Sequence, residues 1–187
     1  LVAIDPLTGA ATPTGVTLGA ANIFEFAVDP LSGQWYGLRS DRVLVTVDLC
    51  TGDVATIDTV HDLSGGTVAI AEGFSIDGSG QAWISWSEVA DFSSQKLGTL
   101  DLATAGASYV GDVVSAQNDA DELLTDGGLW YADAYNNGVW HTELGTLDGL
   151  GVSTFVADVE GQITLTFDGT AATLYGYSYA GANADQL

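Results

Sequence analysis

One pattern recurs four times along this chain: an apolar strand, an aspartate, a glycine-bearing turn and an aromatic strand. The copies are FAVDPLSGQWYGL, GFSIDGSGQAWISW, LLTDGGLWYADAY and LTFDGTAATLYGYSY. Their marker aspartates, Asp29, Asp77, Asp126 and Asp168, stand 48, 49 and 42 residues apart, and the path from Asp168 out through Leu187 and in from Leu1 to Asp29 is again 48. A repeat of this length constrains the fold more than any local motif, because each unit is one supersecondary element whose apolar faces are buried only by its neighbours.

A second marker follows each aromatic strand, in VLVTVDLCTG, KLGTLDLATAG, VWHTELGTLDG and, at the N-terminus, LVAIDPLTG, with acidic residues Asp48, Asp101, Glu143 and Asp5. Behind each lies a further strand: DVATIDTV, GASYVGDV, GVSTFVADV and AATPTGVTL. No stretch keeps apolar residues at the three- and four-residue spacing of a helix, whereas short β-branched and aromatic runs bounded by Gly, Asp, Asn or Pro are frequent. Four strands in each of four units of about 47 residues predict an all-β chain. The expected architecture is a four-bladed β-propeller with four antiparallel strands per blade. As one domain, its blades span about 22–60, 68–114, 121–159, and 161–187 joined to 1–18. The fourth blade is thus made from both termini, and the chain ends written in order, ADQL followed by LVAIDPLTG, read like the internal SDRVLVTVDLCTG. Pairing the two ends shuts a ring without leaving a raw sheet edge.

The DPLTG and DPLSG turns at Asp5 to Gly9 and Asp29 to Gly33, the DLCTG at Asp48 to Gly52, and the WYGL and LYGY strands carry a family likeness. On them the chain resembles secreted bacterial β-propeller-repeat proteins with a Velcro-type closure. That resemblance covers nearly the whole chain and implies the fold, while such families mix binding proteins, scaffolds and enzymes. The third unit departs with ELGTLDG, and the second with a longer connection, SEVADFSSQ, where a different loop is expected.

Composition limits the partners. Three Lys and Arg against 25 Asp and Glu give a net charge of −22, which repels phosphate backbones and anionic lipid and disfavours nucleic-acid or membrane-surface binding. Hydrophobic residues at 47% supply enough apolar surface for an ordered core despite that charge. No apolar run approaches the roughly 20 residues that span a bilayer, so no membrane insertion is expected. With no initiator Met and no basic, apolar leader, the residues are expected to be a mature product or an excised domain, extracellular or at the cell surface. Cys50, the single cysteine, follows an apolar strand and is expected to be a buried or half-buried free thiol. Arg39, Arg42 and Lys96 are the only basic side chains and are expected to make local ion pairs.

Most carboxylates are explained by the turns. Asp5, Asp29, Asp48, Asp77, Asp101, Asp126 and Asp168 stand before glycine-bearing turns, where an Asp side chain accepts bonds from backbone N–H groups two residues on. Calcium is the sharper alternative, since a hard cation takes six to eight oxygens. DGSG at Asp77 to Gly80 and NDADE at Asn118 to Glu122 are its local candidates, with Asp119, Asp121 and Glu122 as ligands. Propeller ligands sit at the axis or over the loops entering the innermost strands. Those loops bring forward Glu25, His61, Asp62, Glu72, Asn118, Asp121, Glu122 and Glu160 as ligand-binding candidates. His61 beside Asp62 is a candidate oriented imidazole, while His141 reads as a strand residue matching Thr46 and Thr99. The aromatic residues of the second strands are expected between blades, with Tyr135 and Trp140 as candidates for an exposed patch.

The leading expectation is a non-enzymatic extracellular interaction or structural module that binds a glycan, a peptide or a neighbouring subunit, monomeric by default. One alternative is a head-to-tail filament joined by exchange of the split blade. Another is a polysaccharide hydrolase or lyase using Glu25, Glu72, Asp121, Glu122 or His61 as acid and base.

Overall fold

The computed structural model describes residues 2–4, 10–19, 22–88, 95–113, 122–125, 128–136, 140–160, 163–168 and 173–178. For 2–4, 122, 134–136, 140, 159, 160, 163–168 and 173–178 it describes backbone pairing alone. Every regular element among them is a β-strand, and none of them forms a helix long and apolar enough to cross a membrane.

Three units form sheets in the expected order. Sheet 1 is the antiparallel meander β3 (Ile23–Val28), β4 (Trp35–Arg39), β5 (Val43–Val47) and β6 (Val54–Thr59). Sheet 2 runs through β8 (Ile70–Ile76), β9 (Ala82–Ser87), β10 (Gln95–Leu100) and β11 (Gly106–Asp112). Sheet 3 is β12 (Glu122–Thr125), β13 (Leu129–Asn136), β14 (Trp140–Leu147) and β15 (Ser153–Glu160). The chain ends form two hairpins, β1 (Val2–Ile4) with β2 (Ala11–Pro13), and β16 (Ile163–Asp168) with β17 (Thr173–Ser178). Each hairpin is a two-stranded sheet of its own, and among the described residues no ladder joins them.

One strand was not legible as such. The connection from sheet 1 to sheet 2, expected to be an open loop from His61 to Thr67, begins with β7 (His61–Asp62), which pairs in parallel with Gly106 and Ala107 of β11. The chain therefore clips onto the outer edge of sheet 2 before entering its innermost strand. Two residues in a ladder carry too little pattern to show in a sequence.

The aspartate turns form as the repeat implies. The Asp29 Oδ1 accepts the Leu31 N–H at 3.0 Å, Asp48 Oδ1 that of Cys50 at 2.7 Å, Asp77 Oδ1 that of Ser79 at 2.9 Å and Asp101 Oδ1 that of Ala103 at 2.8 Å. In the third unit the residue doing this is Asp148, whose Oδ1 accepts the Leu150 and Val152 N–H groups at 2.8 and 3.0 Å. Glu143, the expected marker, lies in mid-strand in β14 and is buried. Register explains the correction. The ladder to the outer strand carries a β-bulge after Leu44, Leu97 and Leu144, each four positions before Asp48, Asp101 and Asp148. His141 accordingly is a strand residue but does not match Thr46 and Thr99. Asp5 and Asp126 lie outside the described residues, and Asp168 ends β16.

Two apolar layers hold the three sheets in a row. Leu38 and Leu44 of sheet 1 pack with Ala71, Phe74, Ile76, Ala82, Ile84 and Trp86 of sheet 2. Leu97 and Val113 of sheet 2 pack with Leu123, Leu129, Tyr131 and Leu147 of sheet 3, with Trp83 against them. Strand β9 serves both layers because successive side chains point to opposite faces: Ala82, Ile84 and Trp86 go one way, Trp83, Ser85 and Ser87 the other. A fully buried Leu or Phe contributes about 1.5–3 kcal/mol. The innermost strands follow in series, β3 beside β8, β8 beside β12, and β12 beside β16.

Cys50 corrects another expectation. It sits in the β5–β6 turn with its amide on Asp48, and is exposed rather than half-buried. Strand β5 ends at Val47, two residues before the end of the apolar run VLVTVDL, so Cys50 falls within the turn.

Sheets 2 and 3 approach closely at Gly111, where an added Cβ would overlap the Leu150 carbonyl oxygen. That oxygen is backbone and has no rotamer to yield. Gly111→Ala is expected to lose about 1–3 kcal/mol, read as a fall of several degrees in the thermal midpoint. Gly149→Ala, with nothing within 4 Å of the new methyl, is expected to stay within about 0.5 kcal/mol of the parent.

Candidate functional site

The loops entering the innermost strands do not assemble one acidic site from the described residues. His61 is exposed, and its Nδ1–H donates to the Thr59 carbonyl at 3.1 Å, while Asp62 points to the other face and is buried. The expected His–Asp pair is therefore parted by strand alternation. The Asp62 Oδ1 accepts both the amide and the hydroxyl of Ser64 at 2.7 Å. Burial opposes its ionisation, but the Ser64 bonds and the nearby Lys96 ammonium outweigh this and lower its pKa. Gly66 passes so close that a Cβ would stand 2.5 Å from Asp62 Oδ2 and 2.6 Å from Glu88 Oε1.

Glu25 lies half-buried in β3, and Glu72 is buried in β8, with the Gln95 side-chain amide donating to its Oε2. Asn118, Asp119 and Asp121 lie outside the described residues, as do the side chains of Glu122, Tyr135, Trp140 and Glu160. Among the described residues no group of three or more His, Cys, Asp or Glu converges as a metal site. Two of the basic side chains make the expected ion pairs, Arg39 with Asp41 and Lys96 with Glu88, both at 2.6 Å. Arg42 departs, donating to the Val68 carbonyl and tying sheet 1 to the entry of sheet 2.

Strand register creates a further acidic grouping. Asp133 faces Glu143 across β13–β14, and Glu143 faces Asp158 across β14–β15, so three acids form one row. Like charges directly opposite are unfavourable unless each is otherwise compensated. The Tyr131 hydroxyl donates to Glu143 Oε1, and the His141 Nδ1 stands 3.2 Å from Asp158 Oδ1. Asp133 and Glu143 are only 1% and 5% exposed, which seals this pair from a substrate. Burial raises the Tyr131 pKa first of all, and its bond to Glu143 adds to that, so the hydroxyl stays a donor. Pair and row escaped the sequence because the residues are ten and fifteen positions apart in the chain and meet only through register.

A more accessible feature lies at the opposite end of the sheets, where the aspartate turns are. A cavity of about 360 Å³ opens between sheets 2 and 3, lined by Asp77, Gly78, Trp83, Thr125, Gly128, Leu129, Leu147, Asp148 and Gly149. Its size falls within the usual range for small-ligand pockets. The half-buried Trp83 donates its indole N–H to Asp77 Oδ2 at 3.2 Å, while Asp77 Oδ1 accepts from Ser79 and Gln81. Burial raises the Asp77 pKa, but these bonds prevail and hold it below the ordinary carboxylate value, so the group is charged at neutral pH. The Thr125 hydroxyl donates to the Ile76 carbonyl at 2.9 Å, tying the two sheets beside the cavity. DGSG, a calcium candidate in the sequence, is a turn whose aspartate accepts bonds from the Ser79 and Gln81 amides, the Ser79 hydroxyl and the Trp83 indole.

No protein-family model matches the chain, and no curated protein matches it. Among solved structures, the crystal structure of the tricorn protease is similar, at 14% identity and a TM-score of 0.41 over 94% of this chain. The match takes in 24% of that protein, so the present chain spans about a quarter of its length.

Two outcomes follow. Tyr131→Phe removes the donor to a buried carboxylate and is expected to cost about 1–3 kcal/mol in urea denaturation, with the fold retained in circular dichroism. On the acid side, Asp29 is held low first by the Ser32 hydroxyl and Asp48 by the Cys50 amide, alongside Asp62 and Asp77. Folded pKa values below an unfolded value near 3.9 add stability that is complete above that pH and fades as pH drops through the lowered values. Stability measured against pH is expected to hold down to about pH 4 and fall below it, with a shallower fall in Asp77→Asn.

Proposed function

We propose that this chain is a non-catalytic, extracellular or cell-surface interaction module of the propeller type. The observation that carries the reading is the cavity between sheets 2 and 3, whose carboxylate Asp77 is tied to its turn and to the Trp83 indole. A general acid needs a raised pKa and a free proton-bearing oxygen, and Asp77 has the opposite. Such a group accepts hydrogen bonds or offers fixed charge, which is the chemistry of recognition. The ligand is a glycan, a peptide or a segment of a neighbouring molecule.

The same proposal includes closure by a fourth sheet built from β16, β17, β1 and β2. Three observations support it. The β16 strand lies against β12 and β13 of sheet 3, at one end of the row. Residues of the N-terminal segment reach sheet 1 at the other end, where the Gly19 amide donates to the Gly52 carbonyl at 2.9 Å. On the far face of sheet 1, Phe24, Phe26 and Val28 are 43%, 39% and 38% exposed, an apolar stripe of the kind that blades cover. Among the described residues no ladder joins the two hairpins, which leaves room for one second reading, in which they pair between molecules and build a head-to-tail filament.

Light scattering after size exclusion separates these. A mass near 19.3 kDa at all concentrations is expected from closure within one chain, and a mass climbing with concentration would favour the filament. Incubation with a panel of polysaccharides is expected to release no new reducing ends, and their appearance would replace the binding module with an enzyme.

A further inference from the structure

The cavity between sheets 2 and 3 combines three features that together select a ligand charge. Among the described residues, the carboxylates of Asp77 and Asp148 line it, and no Lys, Arg or His does. An indole stands in the same wall, and its N–H is bonded to Asp77 Oδ2. A carboxylate accepting from the indole nitrogen pushes electron density into the ring, which strengthens its attraction for a cation. The net charge of −22 adds a long-range field of the same sign, with three basic side chains on the whole chain to oppose it. Leu129 and Leu147 supply an apolar floor suited to a methylene stem.

Resting on the reading of this cavity as a binding site, we propose that its ligand is a basic side chain, an arginine or lysine presented by a peptide or protein partner. The cationic head sits between Asp77, Asp148 and the Trp83 indole, and the stem lies along Leu129 and Leu147. A neutral saccharide would use the same indole and acceptors but would gain nothing from the charges. An anionic ligand is repelled. A second copy of this chain is a poor source of the cation, since Arg39 and Lys96 are already ion-paired and the Arg42 guanidinium donates to Val68.

The test is calorimetric titration of the whole chain with N-acetyl-glycyl-arginyl-glycinamide, the same peptide with neutral citrulline in place of arginine, and methyl glucoside. Asp148→Asn keeps the Oδ1 that accepts from Leu150 and Val152, so the turn is preserved while the charge is lost. Asp58→Asn, on the exposed outer strand of sheet 1, removes one charge elsewhere and controls for the overall field. Trp83→Phe keeps an aromatic ring in the core and removes the indole. The arginine peptide is expected to bind about tenfold more tightly than citrulline, and to weaken severalfold in Asp148→Asn and Trp83→Phe but not in Asp58→Asn. Equal binding of arginine and citrulline, or equal effects of Asp148→Asn and Asp58→Asn, would overturn the proposal. If methyl glucoside binds instead and Asp148→Asn weakens it, the cationic ligand is wrong while the binding cavity stands. If no probe binds a variant or parent that retains its thermal midpoint, both fall.

Discussion

The structure depends on strands that are buried on both faces. In β9, Trp86 and Ile84 face sheet 1 while Trp83 faces sheet 3, so a single strand holds together two apolar layers. A sheet in that position cannot use the polar-out, apolar-in alternation of an exposed antiparallel sheet, and its strand reads as a nearly continuous apolar and small-residue run, AWISWS. Close approach follows from the same constraint. Where the inner strand β8 meets β12, Gly73 leaves no room for a Cβ beside Leu123, and at Gly111 the turn after β14 touches β11 directly.

Stacking also decides where polar groups end up. The serines of β9 face sheet 3 together with Gln95, at the end where Glu72 is buried, and the Gly73 amide donates to Ser85 at 2.8 Å. Asp133 and Glu143 lie in sheet 3 with Tyr131, which packs in the same layer. The seam between sheets 2 and 3 is apolar toward the aspartate turns and polar toward the other end. Groups shut into such a seam must find donors within it, as Glu143 does in Tyr131 and Glu72 in Gln95. They belong to the architecture, whereas the carboxylates at the turns stand where solvent and ligands can reach them.

The strand order was legible because the chain repeats itself. VLVTV, QKLGTL and WHTELGTL each precede a turn aspartate, and each became a third strand. The Asp29, Asp48, Asp77 and Asp101 turns were legible as well, since an Asx turn needs only neighbours two to four positions along. What failed did so for physical reasons. Glu143 was mistaken for the third marker because spacing alone cannot see the bulge that aligns Leu144 with Leu44 and Leu97. The His61–Asp62 pair looked like one group in the chain and is two in space. Asp77 and Trp83 each carried a correct local reading, turn cap and inter-sheet aromatic, without any sign that together with Asp148 they border a cavity.

By itself the sequence determined the all-β class, the three continuous four-stranded units, the aspartate turns and the strongly anionic surface, because these rest on periodicity, local hydrogen bonding and formal charge. Tertiary structure decided the rest. It alone placed β7 on the edge of sheet 2, set Asp133 opposite Glu143, and brought the turns of two sheets together around Trp83. Each of these needs a contact between residues far apart in the chain, settled by register and by how two faces pack, and neither is written in the order of residues within a single strand.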